Sequence, residues 1–157
     1  MRKETMSILM VFVVFAIVLA GSALAASSTA TINATVSIPL SCGILTSAGN
    51  VAFGSVGTGV TSSEQSVTVN NTGSASANFT ISGTSWTNGS NTMPVGQTAF
   101  NTTTGTYTQK TTLTGVAQTL INSIANGGFF NLFLQMAVPN GQATGAYNQT
   151  ITLTTTC

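Results

Sequence analysis

The sequence contains two cysteines, Cys42 and Cys157, and their thiols are the first groups of this chain that could do chemistry. Both follow the N-terminal apolar stretch, and an even number of cysteines is typical of a disulfide in an exported domain. A bond between them would close a loop of about 115 residues, worth roughly 4–5 kcal/mol in the chain-entropy model. We therefore predict a Cys42–Cys157 disulfide, with two free, buried thiols as the alternative.

Glu64 and Lys110 are the only charged residues beyond the first four positions of the chain. A lysine beside an asparagine and a carboxylate can form an isopeptide bond, and this chain has many asparagines. No spacing in the sequence brings three such groups together. A solvated ion pair, or two unrelated surface charges, is the alternative reading of Glu64 and Lys110.

Asparagine sequons are the third chemical feature, because Asn-x-Ser/Thr accepts N-linked glycans in exported proteins. The formal net charge is only +1 at pH 7, and a protein so close to neutrality tends to associate. Glycans would keep such a surface soluble, so we expect N-linked glycans at some of the sequons. The candidate acceptors are Asn33, Asn70, Asn78, Asn88, Asn101 and Asn148.

The scarcity of ionisable groups excludes most other functions. Charged residues make up 3% of the chain, and it has no histidine. General acid–base catalysis, triads and most metal sites need His or carboxylate groups, and nucleic-acid binding needs many Lys and Arg side chains. The sequence therefore predicts no enzyme, no catalytic or metal site, no cofactor and no nucleic-acid partner.

The N-terminus has the features of an export signal. Arg2 and Lys3 precede an almost wholly apolar run, residues 8–20, and Ala23 and Ala25 supply small side chains at the spacing that signal peptidase requires. As a helix the run would span about 20 Å, less than the ~30 Å hydrocarbon core. We interpret residues 1–25 as a cleaved signal peptide and expect an extracellular protein with no membrane span after cleavage. The alternative is a retained helix over residues 6–26.

The exported region reads as all-β. Alternating apolar and polar residues, bounded by Gly, Asn and Pro, predict seven to nine short strands and a two-sheet sandwich over residues 41–157. The candidate strands are 30–38, 43–56, 65–71, 78–82, 129–138 and 147–155.

Three segments of this region receive more specific predictions. Residues 86–112 are rich in Asn, Thr and Gly, so we expect short strands and long loops there. The apolar spacing of residues 116–125 suits a short helix. Residues 129–138 are apolar on both faces, which is typical of a central strand buried on two sides.

Residues 26–40, which would follow the cleaved signal, form the segment with the clearest two-faced pattern. Pro39 ends the alternation. Such a strand either pairs within its own domain or fills a groove in a neighbouring molecule by β-augmentation. Repeated head to tail, the second arrangement gives a filament. The apolar face consists of Ala30, Ile32, Ala34, Val36 and Ile38.

The order of these features resembles the archaeal threads and bundling pili, which are built by donor-strand complementation. Residues 145–153, GAYNQTITL, resemble their final strand. Residues 41–54, SCGILTSAGNVAFG, are similar to the start of bacterial spore-coat-U and chaperone–usher-like pilin domains. The resemblance covers most of the chain after the signal, in layout rather than in one specific motif.

The resemblance implies an Ig-like or pilin-like sandwich whose donor strand, residues 30–38, enters a groove of the next subunit. The partner is then a second copy of the chain, in an extracellular cell-surface homopolymer with roles in adhesion or biofilm formation. Residues 129–138 and 147–155 are the candidates for the walls of the groove.

Two other functions remain open at this point. A type IV pilin or flagellin-like subunit would assemble through a retained N-terminal helix, so residues 8–20 would survive in the mature protein. A monomeric secreted sandwich would bind a surface or a carbohydrate, and removing residues 26–38 would then unfold it rather than stop its assembly.

Overall fold

Short antiparallel strands build the structure, a computed structural model that describes residues 31–157. This part of the chain contains no α-helix and two short 3-10 helices, Val95–Gln97 and Tyr107–Gln109, which confirms the all-β prediction. The strands are β1 (Ile44–Thr46), β2 (Gln65–Asn71), β3 (Ala77–Gly83), β4 (Trp86–Thr87), β5 (Thr92–Met93), β6 (Thr98–Asn101), β7 (Thr111–Thr112), β8 (Gln118–Ile124), β9 (Phe129–Met136) and β10 (Ile151–Thr156).

The strands form a five-stranded sheet in the order β1-β2-β9-β6-β7, a three-stranded sheet in the order β10-β3-β8, and a small β4-β5 ribbon. The first and last strands in sequence therefore lie at sheet edges, β1 in the larger sheet and β10 in the smaller. Contacts divide the chain into a unit that ends at Val36 and a unit Ser37–Cys157, and all three sheets belong to the second.

One hydrophobic core joins the two larger sheets, because alternate residues of each strand turn toward it. The five-stranded sheet contributes Val69 and Leu132, and the three-stranded sheet contributes Ile81; all three are at most 2% exposed. The rings of Phe79 and Phe130 meet edge to face across this core, with centroids 5.2 Å apart. Burying a side chain of this size contributes roughly 1.5–3 kcal/mol to stability.

Strand β9 is central, as the sequence predicts, but the prediction that it is buried on both faces is wrong. It pairs with β2 on one side and with β6 on the other. Only the side chains of even number, such as Phe130 and Leu132, are buried, whereas Phe129 is 64% exposed. On its outer face Phe129 and Asn131 are exposed and Phe133 and Gln135 are half-buried, so apolar residues on two faces did not mean burial on two faces.

The helix predicted over residues 116–125 is also wrong, because these residues form β8 and pair with β3. The pairing register shifts between Ala77 and Phe79 and again between Phe79 and Thr80. Ser123 adopts a positive φ of 57°. Such a bulge lets the neighbouring residues Leu120 and Ile121 both reach the core, which gives the sequence a spacing close to that of a helix.

The remaining strand predictions are confirmed to different extents. Residues 65–71 match β2, residues 78–82 lie within β3, and residues 147–155 overlap β10. The strand predicted over residues 43–56 is reduced to the three residues of β1, and the rest of that segment is loop. Residues 31–38 form no strand. Residues 1–25, predicted to be a signal peptide, and Ala30 lie outside the described residues.

An ion pair joins the two charged side chains of the described region. The Lys110 ammonium donates to the Glu64 carboxylate and, at 2.8 Å, to the Gly105 carbonyl oxygen. Glu64 also accepts the Gly105 N–H at 3.0 Å and the Thr104 hydroxyl. The Lys110 side chain is 0% exposed, so the ion pair is not the solvated pair considered from the sequence. The hydrogen-bond partners of Lys110 Nζ are Glu64 and Gly105, and neither is an asparagine that could form an isopeptide bond.

The first prediction compares the two members of this pair. Replacing Glu64 by Gln leaves the buried Lys110 ammonium without its counter-charge, and we expect a loss of about 3–5 kcal/mol in unfolding free energy. Replacing Lys110 by Met removes the buried charge instead and leaves Glu64 bonded to Thr104 and Gly105. We expect this second loss to be less than half of the first in denaturant titrations, and equal losses would contradict the account.

The second prediction concerns pH. Burial raises the pKa of Glu64, but hydrogen bonds from Lys110, Thr104 and Gly105 outweigh it and lower that pKa below 4.5. The stability that Glu64 contributes is therefore present above pH 4.5 and is lost as pH falls through its lower folded pKa. With no other side-chain carboxylate after residue 4, the melting temperature should stay constant from pH 7 to about 5. A steep loss within that range, measured by circular dichroism, would contradict this.

Candidate functional site: an apolar groove between two sheet edges

A groove of about 490 Å³, whose lining residues are mostly apolar but whose exposed surface is about as polar as it is apolar, runs along the side of the domain where β1 and β10 lie. Residues 44–53 form one wall, which begins in β1, and residues 147–153 form the other, which leads into β10. Core residues Val67, Leu132 and Leu134 line it between these walls, so the hydrophobic core reaches the groove. Both segments expected to form walls, residues 129–138 and 147–155, contribute lining residues.

The wall at β10 exposes unpaired backbone groups. The Thr84 N–H donates to the Thr150 oxygen at 3.0 Å, and the register continues from there along β3. Because antiparallel strands alternate the direction of their polar groups, the even-numbered residues of β10 bond to β3. The N–H and C=O groups of Ile151, Leu153 and Thr155 consequently point away from β3, to an edge with which no strand of residues 37–157 pairs.

The wall at β1 has the same character. The Thr72 N–H donates to the Gly43 oxygen at 3.1 Å, and the Ser47 N–H donates to the Thr68 oxygen at 2.8 Å. These bonds assign the odd-numbered residues of β1 to β2, so the backbone groups of Ile44 and Thr46 point away from it. Two sheet edges with unpaired backbone groups thus flank one apolar groove.

A disulfide links these two edges at one end of the groove. Cys42 lies two residues before β1, and Cys157 directly follows β10. Their sulfur atoms are bonded and their Cα atoms are 5.7 Å apart, which confirms the predicted disulfide. Because Cys42 precedes β1 and Cys157 follows β10, the bond joins the start of the β1 wall to the end of the β10 wall.

Aromatic residues and a chain of hydrogen bonds fix the opposite end. The rings of Phe53 and Trp86 lie edge to face with centroids 5.9 Å apart. Trp86 Nε1 donates to Thr98 Oγ1 at 2.9 Å, and Thr98 Oγ1 donates to Gln149 Oε1 at 2.7 Å. The sequence does not predict Phe53 and Trp86 as lining residues, because Trp86 meets Gln149, which lies in the predicted wall 147–155, only through the β-bridge between Thr87 and Asn148.

The segment predicted as a donor strand carries exposed apolar side chains. Ile32, Val36 and Ile38 are 90%, 86% and 76% exposed, although their alternation suits one buried face. Exposure of three large apolar side chains in one short segment is uncommon and typical of a binding element. Ala34 is exposed as well.

Hydrogen bonds to Ser74 direct the start of the domain away from the groove. The Ser74 N–H donates to the Ser41 oxygen at 2.8 Å, which continues the pairing of β1 with β2 by two residues. The Ser74 hydroxyl accepts the Ser41 N–H at 2.8 Å and donates to the Pro39 oxygen at 3.0 Å. Residues 39–41 thus extend the line of β1 beyond the disulfide instead of turning back along the groove.

The sequon asparagines are dispersed over the described region. Asn33, Asn78 and Asn148 are exposed, whereas Asn70, Asn88 and Asn101 are half-buried. The Asn88 amide oxygen accepts the N–H groups of Ser90 and Asn91, so that sequon lies in a tight turn.

None of the residues that line the groove is charged. Residues 31–157 contain no group of three side chains suited to a metal ion, and none of their helices is long and apolar enough to cross a membrane. The sequence matches no protein-family model, and neither a curated protein nor a solved structure was found to be similar to it.

The third prediction tests the disulfide as the closure of the groove. Replacing Cys42 and Cys157 together by Ser removes a cross-link over a long loop, and we expect unfolding free energy to fall by up to roughly 4–5 kcal/mol. Hydrogen exchange should quicken most at the amides of Thr152 and Thr154, which bond β10 to β3. The wild-type protein under reducing conditions is the matched control. Amide exchange rates that rise equally in β9 would contradict a local role of the disulfide at the groove.

Proposed function

We propose that this protein is a structural subunit of an extracellular filament, polymerised head to tail by its N-terminal strand. The observation that carries the proposal is the apolar groove between two unpaired sheet edges. The proposal takes residues 41–157 as a pilin-like sandwich that lacks one strand, and residues 30–38 as the strand that a neighbouring subunit donates.

The dimensions of the groove and the segment agree. Residues 147–153 along one wall span about 23 Å as a strand, and residues 32–38 span the same length when extended. Within that length the apolar side chains of Ile32, Val36 and Ile38 turn to one face, with Ala34 between them. Each of the three larger side chains would contribute about 1.5–3 kcal/mol on burial, before the cost of ordering the segment.

The backbone groups favour an added strand over a small ligand. A strand placed between β1 and β10 can donate to and accept from Ile44 and Thr46 on one side and Ile151 and Leu153 on the other. Neither the groove nor residues 31–40 contain a charged side chain, so insertion buries no ion. Covering both edges also removes the risk of uncontrolled pairing that exposed edges carry.

The exit of the chain favours insertion into a neighbour. The bonds of Ser74 to Pro39 and Ser41 continue the line of β1 outward past the Cys42–Cys157 disulfide. Entry into its own groove would require a reversal within those same residues and the loss of these bonds. A contact between different surfaces of successive copies does not close on itself, and its repetition gives a filament.

The fourth prediction tests the apolar face of the donor strand. Replacing Val36 by Asn places an amide in the groove, and we expect filaments to disappear from electron micrographs while folded monomers remain. Replacing Ser37 by Asn is the matched control, because Ser37 lies on the opposite face and belongs to no sequon, and it should leave filaments intact. Filaments that persist in the Val36→Asn variant would overturn donor-strand assembly.

A peptide experiment separates assembly from folding. A synthetic peptide of residues 29–38 should raise the melting temperature of a chain that lacks those residues in a saturable manner. The same peptide with Val36→Asn should have little effect, as should the normal peptide on a Val51→Gln variant, whose altered residue lines the groove. Truncated monomers that are stable and do not respond to the peptide would overturn donor-strand assembly, and a truncated chain that does not fold at all would instead favour the monomeric sandwich.

A further inference from the structure

Asn70 lies between two exposed apolar side chains on the outer face of the five-stranded sheet. The β1–β2 register places it opposite Leu45, and the β2–β9 register places it opposite Phe129. Directly opposite residues have Cβ atoms about 4.5–5.5 Å apart and share one face of the sheet. The three residues thus form a row across β1, β2 and β9, which we call the Asn70 row.

The apolar members of the Asn70 row are exceptions on this face. Leu45 is 60% exposed and Phe129 is 64% exposed. The adjacent row contains Thr68 and Asn131, whose side chains form a hydrogen bond of 3.0 Å. A solvated sheet face is expected to carry polar side chains, but here an exposed apolar side chain lies on each side of Asn70.

That asparagine begins a sequon with an accessible hydroxyl residue. Asn70 and Asn71 are followed by the exposed Thr72, so residues 70–72 match Asn-x-Thr. No hydrogen bond joins the Asn70 side chain to a described residue. By contrast, the Asn78 amide oxygen accepts the Ser123 N–H at 2.9 Å.

The same juxtaposition occurs a second time on this face. Phe133 is the other aromatic residue on the outer side of β9, and the β6–β9 register places it opposite Asn101, which begins another sequon. Both outward-facing aromatic residues of β9 thus lie opposite a sequon asparagine. Asn101 differs in that its side chain is engaged, since its Nδ2 donates to the Gln109 oxygen at 3.3 Å.

We propose that Asn70 carries an N-linked oligosaccharide whose first sugar lies across Phe129 and Leu45. The acceptor nitrogen is Asn70 Nδ2, and the donor is an oligosaccharide linked to a lipid phosphate. A bond forms between Nδ2 and the sugar C1 while the bond from C1 to the phosphate oxygen breaks. The lipid phosphate leaves with the electron pair, and the amide proton passes to a base of the transferase.

A sugar fits this row better than a protein surface does. The C–H groups on one face of a pyranose can cover a phenyl ring, while the hydroxyl groups on its edges remain in water. A specific protein interface needs about 800 Å² from each partner, and two side chains separated by an asparagine supply far less. The glycan is also tethered between the two side chains it would cover, so its local concentration is high.

Glycopeptide mass spectrometry of the chain isolated from the cells that export it gives the first test. We expect a glycan at Asn70, and a bare Asn70 overturns the proposal. Thermal melting of the same material tests the contact. Thr72→Val removes the sequon without changing side-chain size, and it should lower the melting temperature by about 2–4 °C, the effect of covering roughly one phenyl face.

A double variant distinguishes the contact from general effects of glycosylation. With Leu45→Thr and Phe129→Thr in place, Thr72→Val should no longer lower the melting temperature, because the sugar has lost the surface it covers. Thr80→Val, which removes the Asn78 sequon opposite Thr156, is the matched control and should have little effect in either background. An equal loss from Thr72→Val with and without the two apolar residues overturns the stacking of the glycan. Because Leu45 also lines the groove, Phe129→Thr alone, which leaves the groove lining unchanged, should weaken the effect of Thr72→Val in the same direction and keeps the test independent of filament assembly.

Discussion

The open side of the hydrophobic core is the constraint on which the rest of this structure depends. Two sheets share one core, but the first and last strands leave their outer edges unpaired, and core residues such as Leu132 and Leu134 reach the groove between them. Unpaired backbone groups beside exposed apolar surface are unfavourable in water. In the proposed assembly an added strand would cover both edges, and residues 32–38, which alternate apolar and polar side chains, have the length that this strand needs.

Neutrality explains why few other interactions contribute. Beyond residue 4 the chain has one carboxylate and one ammonium group, and the fold brings them together in a buried pair. Residues 31–157 hold no other charged side chain to orient a ligand or to steer a partner, so the proposed assembly uses backbone hydrogen bonds and apolar burial. Both are supplied in quantity by an extended strand that meets two sheet edges, and neither depends on pH in the way that ion pairs do.

The parts of the fold that were predictable are those set by local alternation. Strand β2 follows directly from Val67 and Val69 between polar residues, and β10 follows from Ile151 and Leu153. The strand predictions fail where long-range contacts determine the structure. The bulge in β8 gives Leu120 and Ile121 a helix-like spacing. The outer face of β9 carries Phe129 without burying it.

The candidate site also has a part that the sequence predicts and a part that it does not. Its two walls lie in segments predicted as strands, residues 43–56 and 147–155, and the second was also a candidate wall. That both are open edges of one core follows only from the order of strands in the sheets. That order is a property of distant pairings and leaves no trace in local composition. The aromatic end of the groove was missed for this reason, since Phe53 and Trp86 are separated by two strands in sequence.

The position of the disulfide connects stability to the proposed assembly. In a head-to-tail filament, tension enters each domain through residues 37–41 and reaches Cys42 first. From there the covalent bond carries it to Cys157 at the end of β10, so both walls of the groove are loaded at the same end. A pull on the donor segment therefore does not peel β1 from β2 alone, because β10 and its partner β3 share the load. The bond that closes the domain is thus placed where a filament subunit most needs resistance to separation of its two sheets.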